Sequence, residues 1–226
     1  MSRNKVISTE DILSTLCHSV TEVLSSASGN TISYSAMVQK ITRTCMRPDI
    51  GCFVLFDGGF TGLVVTNFTS QAAMEIYGDY MNNMGMPPEE LAKSHVSDDV
   101  ANVLGELMNQ IVGDFTNKVR EQLHTSITQN QPKMMAINKQ VQISVDTTMD
   151  RPQARRVTFT TQNQNIFYLE LAMDKTEFIK LHEFDITEAI DPDDIIASTR
   201  AKKQSAQTKA QNEPDIDDDF MENLGL

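Results

Sequence analysis

The sequence has no tryptophan, only three cysteines and four histidines, and no apolar run near the roughly 20 residues that a membrane span requires. Each shortage removes a class of function. Cys17, Cys45 and Cys52 form no C-x-x-C pair and are odd in number, which argues against a disulfide framework or a thiolate zinc site and leaves them as reduced core residues. His18, His95, His124 and His182 are scattered without H-E-x-x-H spacing, so no metal held by the chain itself is expected. The first residues, MSRNKVISTEDIL, lack the uninterrupted apolar centre of a secretory signal, and the expected location is the cytoplasm, away from any membrane. Basic clusters are scarce: Arg151 to Arg156 and Lys202 to Lys203 are too small to draw nucleic acid to a chain of formal net charge −12.

What is present suits one sizeable core: 226 residues, 40% of them hydrophobic, fit one domain with extensions better than two domains. The acidity is concentrated at one end. From Glu170 onward there are fifteen acidic and six basic residues, so only −3 of the −12 belongs to the chain before it.

Periodicity divides the chain into elements. Ser8 and Asp11 form a capping-box-like start to a helix that spaces Ile12, Leu16, Val20 and Leu24 on one face and stops at Gly29. TISYSAMVQKI alternates as a strand does, and CFVLF and FTGLVV flank Asp57-Gly58-Gly59 as the arms of a hairpin. A helix over 69–81 follows, then NNMGMPPEE, where Pro87 and Pro88 can begin a fresh helix. Ser97, with Asp98 and Asp99 behind it, caps a long helix reaching about Gln122. After Pro132 the period changes to two, and VQISV, RRVTFTT and NIFYLEL read as strands that close an α+β domain.

The long helix carries an unusual row. At 100° per residue, Glu106 lies about 40° and Asn109 about −20° from Asn102, with Gly113 near 20°, while Val103, Leu104, Leu107, Met108, Ile111 and Phe115 spread over the other side. Polar residues so placed ordinarily form a solvated face. Gly105, however, costs near 1 kcal/mol relative to alanine inside a helix, and beside the row its missing side chain would let another surface come close.

The row resembles the motif of the CheC/CheX/FliY family, phosphatases of the phosphorylated receiver CheY: Asp or Ser, three residues, Glu, two residues, Asn, 22 residues, Pro. Glu106, Asn109 and Pro132 match both later spacings, and Asn102 stands where the family has Asp or Ser. The element order over about residues 5–172 is similar to CheX. The resemblance implies a mostly antiparallel sheet packed against long helices, and a site in which Asn109 orients a hydrolytic water without acting as a base. Glu106 would meet the receiver's lysine, with Asn102 as the remaining polar member and Pro132 and Gly105 in structural roles. It also implies no cofactor of the chain's own, the Mg2+ being held by the receiver, and makes a homodimer through strand pairing possible. On the first helix His18, Glu22 and Ser25 have corresponding spacing but lack the asparagine, which predicts one site per chain.

The C-terminal part reads differently. Residues 1–175 form the expected phosphatase domain, 176–197 a segment of unassigned docking, and 198–212 a disordered spacer without any apolar residue larger than alanine. Residues 213–226 are expected, from the resemblance that follows, to form a receiver-binding peptide. Its end, DDFMENLGL, resembles the CheY-binding C-terminus of CheZ through Asp218, Asp219, Phe220, Met221, Glu222, Leu224, Gly225 and Leu226, and would fold as a short helix on binding. Two further readings stand beside the phosphatase: a non-catalytic receiver-binding adaptor and a flagellar-switch-like structural protein.

Overall fold

The structure is a computed structural model that describes residues 6–149 and 151–179. In chain order these form β1 (Val6–Ile7), α1 (Thr9–Ser28), β2 (Ser33–Tyr34), β3 (Gln39–Ile41), β4 (Thr44–Met46), β5 (Ile50–Gly58) and β6 (Gly62–Phe68). Then come α2 (Ser70–Asn83), a 3-10 turn (Pro88–Glu90), α3 (Asp98–Leu123), β7 (Ile127–Gln129) and β8 (Lys133–Ala136). The last strands are β9 (Ile143–Val145), β10 (Pro152–Thr160), β11 (Ile166–Asp174) and β12 (Phe178–Ile179).

The helix boundaries have local causes. Asp11 accepts the Ser8 backbone N–H at 2.8 Å while Ser8 Oγ accepts the Asp11 N–H, closing the capping box at the start of α1, and Gly29 ends it in the left-handed region at φ 70°. Thr69 Oγ1 accepts the Ala72 N–H to start α2, and Ser97 Oγ accepts the Asp99 N–H to start α3. Pro87 and Pro88 do not open a full helix. The three residues of the 3-10 turn bury nothing, so no packing rewards further turns.

Eight strands form one antiparallel sheet in the order β2-β10-β11-β6-β5-β7, with β3 also on β10 and β8 also on β5. The anticipated hairpin is β5–β6, registered from Ile50↔Phe68 to Phe56↔Gly62. At its turn Gly58 takes φ 150°, and a Cβ there would lie 2.1 Å from the Ser126 carbonyl oxygen, so the close passage of the chain before β7 demands glycine. The stretch read as one strand, TISYSAMVQKI, contributes two short ones that pair with different parts of β10. Separately, β12 pairs with β1, so the described fold reaches Ile179.

Both sheet faces are covered. On one face α1 contributes Ile12, Leu16, Val20 and Leu24 and α3 contributes Leu104, Leu107, Met108, Ile111 and Phe115 to a core completed by Val54, Phe56, Val64 and Leu169. The opposite face carries a smaller cluster of Met46, Leu63, Val65, Ile137, Ala154 and Ala172, overlain by the β4–β9 pair. Strand β6 lies between them and is buried at every position, the polar Thr66 and Asn67 included. The β4 backbone is tied down by two buried side chains. Glu170 Oε2 accepts the Cys45 N–H at 2.9 Å, and Asn67 donates to the Cys45 carbonyl at 2.9 Å while accepting the Arg47 N–H. Glu170 is itself fully buried and receives Arg156 Nη2 at 2.7 Å and Nε at 2.9 Å on its other oxygen.

Cys17, Cys45 and Cys52 are free and buried. Burial pushes the thiols of Cys17 and Cys52 up to about 12. At pH 8 roughly one molecule in ten thousand would carry either thiolate, so both are expected to resist an exposed-thiol reagent such as Ellman's in the native protein and to react promptly in denaturant. Stoichiometric native labelling at either position, located by mass spectrometry, would contradict this packing. Among the described residues, no helix is long and apolar enough to cross a membrane.

Candidate functional site

The 26-residue helix α3 buries Val100, Leu104, Leu107, Met108, Ile111, Val112, Phe115 and Val119, and this apolar stripe sets the orientation of everything else on it. Asn102, Glu106 and Asn109 consequently emerge on the exposed side, as their spacing requires. They stand on the outer surface of a rod. The row does not line the cavity of about 660 Å³ near the C-terminal end of α3, which is bordered instead by residues such as His18, Gln122 and His124.

Each member has a different degree of fixation. Glu106 Oε1 accepts a hydrogen bond from Gln110 Nε2 at 3.1 Å, one turn further along the same helix. The Asn102 side chain is exposed and remains a loose end of the row. Asn109 is held from another element. Gln129, on β7, donates from Nε2 to Asn109 Oδ1 at 3.0 Å and to the Asn109 main-chain oxygen at 3.4 Å.

The surroundings of the row correct one expectation and clarify another. Gly105 does not leave a gap for a visiting protein: a Cβ there would meet Met134 Cγ at 3.3 Å, so the chain's own β8 uses the space. Gly113 is the open position, with nothing within 4 Å of such a Cβ. Pro132 is half-buried and immediately precedes β8.

On α1 the corresponding positions serve the fold. Glu22 pairs with Lys118, which also binds Asp114 at 2.7 Å, so this carboxylate links α1 to α3. Ser25 Oγ accepts the Ile32 N–H at 3.0 Å and closes the connection after the helix. His18 is exposed, with its ring edge-on to Tyr34 at 6.1 Å.

Gln129 was not visible from periodicity or motif. It lies on a three-residue strand, and only the antiparallel pairing of β7 with β5, which places Gln129 opposite Phe56, brings it against α3. Among the described residues, no group of three or more His, Cys, Asp or Glu side chains is placed to hold a metal ion. The peptide residues Asp218, Asp219, Phe220, Met221, Leu224, Gly225 and Leu226 lie outside the described residues, as do the spacer 198–212 and nearly all of 176–197.

The sequence profile of one family, described as "Protein of unknown function (DUF3334)", matches residues 3–226. Among curated proteins none matches the chain. In structure the fold is similar to the chemotaxis protein CheX from Desulfovibrio desulfuricans, at 18% identity and TM-score 0.61 over 73% of this chain and 99% of that one. It is also similar to a CheC-like superfamily protein from Shewanella sp. PV-4, at 16% identity and TM-score 0.59 over 73% and 97% of the two chains. A third likeness is to the CheX–CheY–BeF3–Mg2+ complex from Borrelia burgdorferi, at 14% identity and TM-score 0.55 over 73% and 99%. At such identities the likeness is one of fold, and the α+β, CheX-like architecture anticipated from the sequence is the one the chain adopts.

Proposed function

The chain belongs to the DUF3334 family, and we propose that it is a phosphatase acting on the aspartyl phosphate of a CheY-type receiver domain. The observation that carries this reading is the pair Glu106 and Asn109: an exposed carboxylate and a tethered carboxamide, one turn apart, projecting from the outer surface of a rigid helix. A group on a convex rod is placed to enter a pocket belonging to someone else. The Borrelia neighbour is a complex of CheX with CheY, BeF3 and Mg2+, which supports a receiver as the first partner class to test.

The chemistry follows from what an acyl phosphate needs. Its hydrolysis is an in-line displacement by water, in which alignment and charge neutralisation supply most of the acceleration. The receiver would bring the phosphoryl group, its Mg2+ and a lysine. Asn109 would bring a carbonyl oxygen that accepts from water and an NH2 that donates, with no group that titrates near neutral pH, so it orients the nucleophile instead of deprotonating it. Glu106 would meet the receiver's lysine in a charge-assisted contact that sets the docking register. Asn102, uncharged, can add a hydrogen bond at the edge of that contact. Pro132 and Gly105 act through β8.

The direct test charges candidate receivers with a small phosphodonor and follows phosphate release with and without this protein. Acceleration at sub-stoichiometric protein supports the phosphatase. Binding without acceleration would instead favour the adaptor reading, to which the uncharged Asn102 in the motif's first position lends support.

The C-terminal peptide has its own prediction. The spacer 198–212 would reach about 50 Å stretched and roughly 20 Å on average, enough to keep a captured receiver at millimolar effective concentration near α3. Deleting residues 213–226 is therefore expected to raise the receiver concentration for half-maximal rate by about tenfold or more, with the maximal rate little changed. An unchanged concentration dependence in steady-state kinetics would remove the peptide from the scheme.

A further inference from the structure

The geometry points to Gln129 as the positioning residue for Asn109, a role that rests on the proposed function for its catalytic consequence but not for its structural content. The argument begins with the main chain. The Asn109 backbone carbonyl can only accept, so the Gln129 group that faces it, 3.4 Å away, has to be the NH2 end of its amide. That same NH2 lies 3.0 Å from the Asn109 side-chain amide and can only donate there too, which selects Oδ1 as the atom turned toward β7. One immobile carbonyl thus determines the orientation of two side-chain amides in sequence.

Three further observations keep this clamp in place. Gln129 Oε1 is buried, without a hydrogen-bond partner, so it is the NH2 end of the amide that faces outward to Asn109. Reversing the amide would set Oε1 against the main-chain carbonyl, oxygen against oxygen. Strand β7 is registered on β5 through Phe56↔Gln129, and Phe56 is itself locked in the core against Phe115 of α3. Gln129 is therefore carried by an element that cannot slide along the helix without disturbing the core.

The consequence concerns one atom. Oδ1 has two lone pairs, and Gln129 occupies one, leaving the other for the attacking water while the Nδ2 hydrogens are free for the receiver. An unrestrained asparagine on an exposed helix face would rotate its amide and present oxygen and nitrogen alternately. A clamped one presents the same acceptor at every encounter, and such pre-organisation is where a positioning group has its effect.

Two measurements test this with Gln129→Met, which keeps length and shape but removes the donor, and Gln129→Glu, which keeps length and offers only acceptors. First, ¹⁵N relaxation of the Asn109 side-chain amide is expected to give an order parameter above about 0.6 in the intact protein and a lower value in both variants. A mobile Asn109 amide in the unaltered protein would overturn the inference whatever the chemistry. Second, Gln129→Met is expected to lower kcat for receiver dephosphorylation about tenfold with KM nearly unchanged, and to cause no further loss when Asn109 is already alanine. An undiminished kcat, or an equal loss on both backgrounds, would show that Gln129 does not act through Asn109. If no receiver is dephosphorylated at all, the phosphatase reading falls, while the relaxation experiment still decides whether Gln129 holds Asn109.

Discussion

Replacing Asn109 by alanine is expected to slow stimulated receiver dephosphorylation by at least roughly 100-fold while receiver binding persists. The size follows from the role. A factor of 100 corresponds to about 2.7 kcal/mol of transition-state stabilisation, the range seen when one pre-organised hydrogen-bonding group is removed from a water-excluded site. Persistence of binding follows from location. Asn109 is exposed, alanine is the best helix former, and the apolar stripe of α3 does not include position 109, so neither the fold nor the docking surface should change greatly. Glu106→Ala should divide its effect differently, raising KM more than it lowers kcat, because docking precedes chemistry. Single-turnover decay of phosphorylated receiver, measured beside a binding titration, decides the matter. A variant with alanine at 109 that still accelerates decay like the parent would sink the proposed mechanism.

The second large effect concerns the far side of the sheet. Glu170→Ala is expected to lower stability by about 3–5 kcal/mol, because it leaves the Arg156 guanidinium without its counter-charge and the Cys45 N–H without an acceptor. For a folded region of this size that corresponds to a fall of roughly 10 °C in Tm. The cost comes from stranding partners more than from losing a favourable bond. A paired replacement, Glu170→Leu with Arg156→Met, should therefore recover the part of the loss that comes from the stranded charge, since it removes both charges and returns apolar volume to a region beside Val65 and Ala172, while the Cys45 N–H still lacks its acceptor. Equal Tm values for Glu170→Ala and the parent would mean that the buried ion pair contributes nothing to β4 docking.

Much of the architecture was legible because its signals are local. The capping box at Ser8 and Asp11, the stop at Gly29 and the Ser97 cap are each written within a few residues, and the structure has helices α1 and α3 at these signals. Asp57-Gly58-Gly59 between two apolar runs announced the β5–β6 hairpin. Short pieces were not legible: β4, β7 and β8 are three or four residues long, too few for alternation to show, and exist because longer strands and buried polar groups hold their backbones. What approaches Gly105 was not legible for a related reason. A glycine announces that something approaches, but not whether the visitor is another protein or, as here, Met134 of the same chain.

By itself the sequence determined that Asn102, Glu106 and Asn109 share the side of α3 turned away from the core, because the 3.6-residue period and the apolar stripe settle which face is buried before any tertiary contact forms. Only the tertiary structure decided which of them is bonded to a second element. The hydrogen bond from Gln129 to Asn109 joins residues 20 positions apart across the end of a helix and the register of an edge strand. Such contacts depend on how β7 is placed by β5, and strand placement is a property of the assembled sheet, in which a one-residue slip would turn every β7 side chain to the other face.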